Sequence, residues 1–203
     1  MLNISESQCV IFKTIDTSIM ESYLTSILKD FKYYKKLGER AMIQVPDEKL
    51  FDVDRMQENS IAVLVQHISG NMKSRWTRIW DEDGEKEWRN RDREFQLIIS
   101  SREEMIQIWE EGWAVLFDTL ESCKYDDLER LVYIRNEGHT LIEAINRGLG
   151  HYAYHIGQIV LLAKFYVKDD WQSLTIPLGK SESFNKRKFS EEKHRGHFTD
   201  ERM

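Results

Sequence analysis

The stretch from Thr140 to Val167 constrains this chain more than any other, because it reads as one long helix. Thr140 followed by Glu143 is a capping-box signature, and no Pro interrupts the run. Leu141, Ile145, Leu149, Tyr152, Ile156, Ile159 and Ala163 recur at helical spacing, so one stripe is apolar. His151 and His155 stand four residues apart, one above the other on a single face. Ala144, Gly148 and Leu162 share that face, and the small residues among them leave space beside the imidazoles. Such a pair can seat a metal ion. It can equally be two core histidines bonded to backbone carbonyls, and a third ligand from elsewhere decides between the two.

A chain of 203 residues suits one domain with a substantial core. The net charge of −6 has both signs interspersed, which argues against nucleic-acid binding. No apolar run approaches a membrane span, and Met1 to Glu6 lack the basic-then-apolar order of a signal peptide. Cys9 and Cys123 are isolated, so the expectation is a reducing, cytoplasmic setting.

Three further helices are expected. After a lead-in of residues 1–17, the first spans 18–44, with Met20, Leu24, Ile27, Phe31, Tyr34 and Ala41 inward and Pro46 stopping it. The second spans 60–80 from an Asn59 N-cap, with Ile61, Val65, Ile68, Met72 and Ile79 inward. His67 lies roughly 130° from that stripe at ideal geometry, so it faces a different neighbour. Alone, it reads as structural. The third spans 101–123, opened by a Ser101/Glu104 capping box, with Met105, Trp109, Gly112, Trp113, Leu116 and Leu120 inward.

Residues 81–100 are too long for an ordinary turn and can cross the length of a bundle. Trp88, Arg89, Arg91 and Asp92 stand out here, either as a surface loop anchored by Trp88 or as a rim whose arginine meets an anionic substrate. Residues 131–135 suggest a short strand with its turn at Asn136, Glu137 and Gly138. His139, preceding the last helix, is a weaker ligand candidate. Residues 186–203 read as a charged, flexible tail after a single domain of residues 1–185, and any metal at His194 or His197 there as adventitious.

Several motifs in order carry a resemblance. They are His67 to Trp76, Asp83 to Phe95, Glu111-Gly-Trp113, Asn146-Arg147, His151 to Gln158 and Ile176 to Ser181. This pattern resembles the DinB/YfiT-like superfamily of metal-binding bundles, and more narrowly its YjoA-type branch. Leu178 departs from it, since relatives often carry Arg there. The resemblance implies an all-α, DinB-like four-helix bundle with a long crossover between the second and third helices and a short β element before the fourth. It implies one divalent ion (zinc, nickel or iron) on His67, His151 and His155, with positions left open.

By the same resemblance, the expected activity is thiol-dependent transfer or hydrolysis of a small molecule. A low-molecular-weight thiol such as bacillithiol is a possible cofactor, and a homodimer a possible assembly. Asp92 and Glu143 are candidate proton-transfer groups, and Arg75 and Arg147 candidate substrate-binding groups. Two alternatives stand beside this reading: a non-catalytic or stress-associated bundle with a structural ion, and an inert bundle whose histidines are core residues.

Overall fold

A computed structural model describes residues 6–53 and 59–200, with side chains from residue 22 onward. The helices are α1 (Glu6–Met42), the single turn α2 (Asp47–Leu50), α3 (Ile61–Trp76), α4 (Arg102–Ser122), α5 (Leu141–Val167) and α6 (Ser181–Phe189). The strands β1 (Leu131–Ile134) and β2 (Glu137–Thr140) pair antiparallel directly before α5. None of the described helices is long and apolar enough to cross a membrane.

The α5 helix starts as its residues dictate. The Thr140 hydroxyl accepts from the Glu143 N–H, and the Glu143 carboxylate accepts from the Thr140 N–H. The other starts differ in detail. Ser60 rather than Asn59 caps α3, its hydroxyl accepting from the Val63 N–H. Ser101 caps α4, but the Glu104 carboxylate reaches back to the N–H of Ser100, one residue short of closing the box. The lead-in is also helical, since α1 begins at Glu6 rather than near residue 18, and the Met20 side chain lies outside the described ones. At its other end α3 stops at Trp76, where Thr77 is extended and Arg78 turns left-handed at φ 48°.

Residue pairs between helices fix their directions. Ser69 bonds Ile108, Lys73 pairs with Glu111, and Thr119 bonds Trp76, so α3 and α4 run parallel. The intervening segment therefore traverses the length of the helices, as its length suggested. Tyr23 meets Asn146 and Phe31 meets Tyr152, so α1 and α5 also run parallel. Against α4, α1 runs antiparallel, with Lys32 on Glu121 and the Met42 carbonyl on Arg102. Phe31, Trp109, Trp113 and Tyr152 meet at the centre. Gly112 lets α4 close on α3: a Cβ there would lie 2.8 Å from the Ser69 Cα, which only backbone movement could relieve.

Nearly all of α3 is buried, which resolves the off-stripe position of His67. One side faces α4, another α5, and the crossing segment covers the rest. The Gln66 amide nitrogen donates to the carbonyls of Glu94 and Gln96, and its oxygen accepts from the Ile98 N–H. The Ser74 hydroxyl donates to the Gly84 carbonyl and accepts from the Lys86 N–H. Trp88, expected as a possible anchor, is exposed, whereas Gly84, Lys86, Glu94 and Ile99 are buried.

The β element is a full hairpin rather than one strand. Its turn falls at Arg135 and Asn136, with φ 57° and 60°, the pattern of a two-residue type I′ turn. Asp83 from the crossing segment accepts from both of their N–H groups. At the other end of the chain, the boundary expected near residue 185 falls inside α6. Beyond that helix, Asp200 pairs with Lys29, His197 lies 3.0 Å from the Ser26 hydroxyl, and Phe198 packs on Tyr33.

Candidate metal centre

Three imidazoles converge where α3 crosses α5. Nε2 of His151 lies 3.3 Å from Nε2 of His67 and 3.1 Å from Nε2 of His155. A ligand atom from each of the three lies within 4.8 Å of the others. His67 and His155 are buried, and His151 is half-buried.

The outer ring nitrogens decide what the inner ones offer. His67 Nδ1 lies 2.9 Å from Oε2 of Glu94, and Arg89 donates to both oxygens of that carboxylate at 2.8 and 2.9 Å. Burial raises the Glu94 carboxyl, but the hydrogen bonds of His67 and Arg89 and the arginine charge outweigh it and hold it below the usual range. An ionised carboxylate only accepts, so the His67 proton sits on Nδ1 and its Nε2 lone pair faces the centre. His155 Nδ1 donates in the same way to the Gln158 oxygen at 2.9 Å. Burial and the neighbouring imidazoles push the His151 pKa down to about 3, and burial also lowers that of His155. The His151 and His155 rings are therefore neutral at pH 7.

The donor set fits a cation. Ligands placed tetrahedrally at 2.0–2.1 Å from zinc stand about 3.3 Å apart. The two closest nitrogen separations here are of that size. Partners on the outer nitrogens are the usual support of metal-bound histidines.

Beside the triad opens a cavity of about 370 Å³. Trp76, Ile79, Phe95, Val132 and Ile134 supply apolar wall, and Arg75, Arg89, Arg91, Arg135 and Arg147 also line it. Among the described residues, no Asp, Glu, Lys or Cys does. Glu85 stands behind the arginines, with Oε2 at 3.1 Å from Arg89, 3.2 Å from Arg135 and 3.7 Å from Arg75.

A family model described as "Protein of unknown function (DUF1572)" matches residues 18–180. The chain belongs to this family. No curated protein and no solved structure matches it significantly.

For this DUF1572 member, the structure brings together most of the residues singled out from sequence. His67, His151 and His155 form the cluster, and Arg75 and Arg147 line the cavity with them. Ala144 and Gly148 form the cavity wall below His151, as the helical face required. Glu143 is exposed at the start of α5, where it serves the cap, and Asp92 is exposed beside a 3₁₀ turn. Neither lines the cavity. His139 lies on β2, outside the cluster.

The carboxylate that touches the triad is Glu94, which sequence reasoning passed over. It lies two positions from Asp92 in a charge-dense segment, where no periodicity separates inward from outward side chains. Gln158 was overlooked too, though its place three residues after His155 puts it within reach on the helix.

Proposed function

We propose that this chain holds one divalent cation on His67, His151 and His155 and uses it on a small molecule taken into the adjoining cavity, as a thiol-dependent transferase or hydrolase of the DinB-like type. The convergence of the three Nε2 atoms, with two separations of 3.1 and 3.3 Å, carries this reading. Three neutral imidazoles suit zinc, nickel or iron(II). Bound there, the ion would supply Lewis acidity that makes a water or thiol acidic enough to ionise near neutral pH.

The protein's own part is orientation and access. Glu94 and Gln158 fix the tautomers of His67 and His155, and the Glu94–Arg89 pair holds that carboxylate in place. Trp76 and Phe95 form part of the cavity's apolar wall. Among the described residues no carboxylate or amine lines the cavity, so a proton given up by a bound water or thiol would pass to solvent.

The lack of a carboxylate or amine among the described lining residues favours a second reading, in which the ion is structural and the bundle does not turn over substrate. Elemental analysis of untagged protein beside His67→Ala, His151→Ala and His155→Ala tests the site, with circular dichroism checking each fold. About one equivalent of metal, absent from each folded variant, is the expected result. Near-zero metal after reconstitution with zinc, nickel or iron(II) would overturn both readings. Metal-dependent turnover in a thiol-acceptor and hydrolase screen separates the first from the second, which predicts only a fall in Tm on chelation.

A further inference from the structure

We infer that the cavity is a receptor for a small organic oxyanion, a molecule with a carboxylate or phosphate at one end and an apolar body. The binding site stands on the arginines; only the placing of the ligand's far end against the triad rests on the metal reading above.

Charge is the first ground. Among the described residues, five guanidiniums and no acidic side chain line the cavity of about 370 Å³. The two carboxylates behind them are already engaged. Glu94 is bound by Arg89 and His67, and Glu85 is shared among Arg89, Arg135 and Arg75. Arg91 stacks over the Phe95 ring at 5.2 Å, and neither its guanidinium nor that of Arg147 has a hydrogen bond or ion pair among the described residues. Nη1 of Arg75 is buried and makes no hydrogen bond, with Oε2 of Glu85 3.7 Å away. A guanidinium without a carboxylate partner, such as that of Arg91 or Arg147, can take an oxyanion bidentately. Like charges gathered in a cleft of low dielectric also raise the local concentration of counter-ions of the opposite sign.

The walls are the second ground. Trp76, Ile79, Phe95, Val132 and Ile134 surround the polar groups, as in sites for organic ligands, where a few polar side chains set orientation within an apolar lining. Inorganic phosphate would leave that surface against water. The chain as a whole carries −6, so these arginines are a concentrated exception rather than part of a basic face for a polyanion.

Calorimetric titration of the full, zinc-loaded chain tests this, with phenylphosphate, phenylacetate, inorganic phosphate and benzyl alcohol as probes. One or both aromatic anions bind at one per chain, at least about tenfold more tightly than inorganic phosphate or benzyl alcohol; the tighter of the two identifies the anionic group. Arg91→Gln and Arg147→Gln, at exposed positions, each weaken that binding about tenfold and keep the wild-type metal content and circular dichroism. Benzyl alcohol binding as tightly as the anions, or anion affinity unchanged in both variants, overturns the inference. Repeating the titration on metal-free protein separates the two readings. Arginine-dependent anion binding in a chain that takes up no metal sinks the metal site and leaves the receptor standing. Stoichiometric metal without anion binding does the reverse.

Discussion

Nδ1 of His67 lies 2.9 Å from Oε2 of Glu94, joining α3 to a segment 27 positions away in the chain. The bond makes the crossing segment part of the centre, because a single carboxylate serves both the His67 tautomer and the Arg89 guanidinium. Glu94→Gln keeps an acceptor for the Nδ1–H and removes the negative charge. Metal affinity should then fall about 10–100-fold, the usual cost of losing such a partner. Glu94→Ala also leaves the buried Arg89 guanidinium with Glu85 as its remaining carboxylate partner and should destabilise the fold by about 1–3 kcal/mol. Competition with a chromogenic chelator reads the first effect and urea denaturation the second. Unchanged zinc affinity in Glu94→Gln would show that the carboxylate is only a structural ion-pair partner.

Gly70 offers a cleaner probe of the same contact. A Cβ at this position would lie 2.5 Å from Oε1 of Glu94 and 2.8 Å from its carboxyl carbon. Gly70→Ala should displace the carboxylate from His67 while helping the helix, where Ala exceeds Gly by about 1 kcal/mol. The expected signature is a drop in zinc affinity of about tenfold with little net change in stability to urea, the helix gain offsetting the disturbed bond between Arg89 and Oε1. A variant that is less stable yet binds zinc normally would mean that the backbone, rather than Glu94, gives way.

How far the sequence foretold this centre depends on the element. His151 and His155 needed only helical geometry, because α5 has an uninterrupted stripe and a complete capping box. His67 was harder, since it lies off the main stripe of a helix buried on nearly every side, where periodicity no longer tells which neighbour a residue meets. Glu94 had no local signal at all. Its place is set by Gln66, Ser74 and Asp83, which fasten the crossing segment through backbone groups that no residue pattern announces. The hairpin turn escaped for a related reason. Arg135 takes a left-handed φ that its type disfavours, held there by Asp83 from far along the chain.

Helix approach is tested at Gly112. A Cβ there would meet the Cα of Ser69 at 2.8 Å and its Oγ at 2.8 Å, so α3 and α4 would have to part. Ser69 also donates to the Ile108 carbonyl across this contact. Gly112→Ala should cost about 1–3 kcal/mol, in the range of overpacked cores. Because α3 carries His67, zinc affinity should fall along with stability, in contrast to Gly70→Ala. Urea denaturation with chelator competition on one preparation gives both quantities, and a wild-type denaturation midpoint would count against the tight contact.

Acid should weaken the metal-free protein through its own ligands. Burial first, then the imidazoles of His155 and His67 and the charges of Arg89 and Arg75, lower the His151 pKa from an ordinary 6.5 to about 3. Above pH 6.5 this ring is neutral both folded and unfolded, so it adds no pH dependence. Below that value the unfolded chain takes up a proton that the folded chain refuses, so stability falls as the pH drops from 6.5 toward about 3. His155, also lowered, adds to the loss in the same direction. Because the folded His151 ring refuses that proton, proton competition with a metal bound at His151 sets in only toward about pH 3. Urea denaturation of chelated protein between about pH 7 and about pH 4.5 should show this slope, and His151→Gln should flatten it by removing one of the two titrating rings. Equal slopes in wild type and variant would mean that His151 titrates normally and that its lone pair is not held in a desolvated centre.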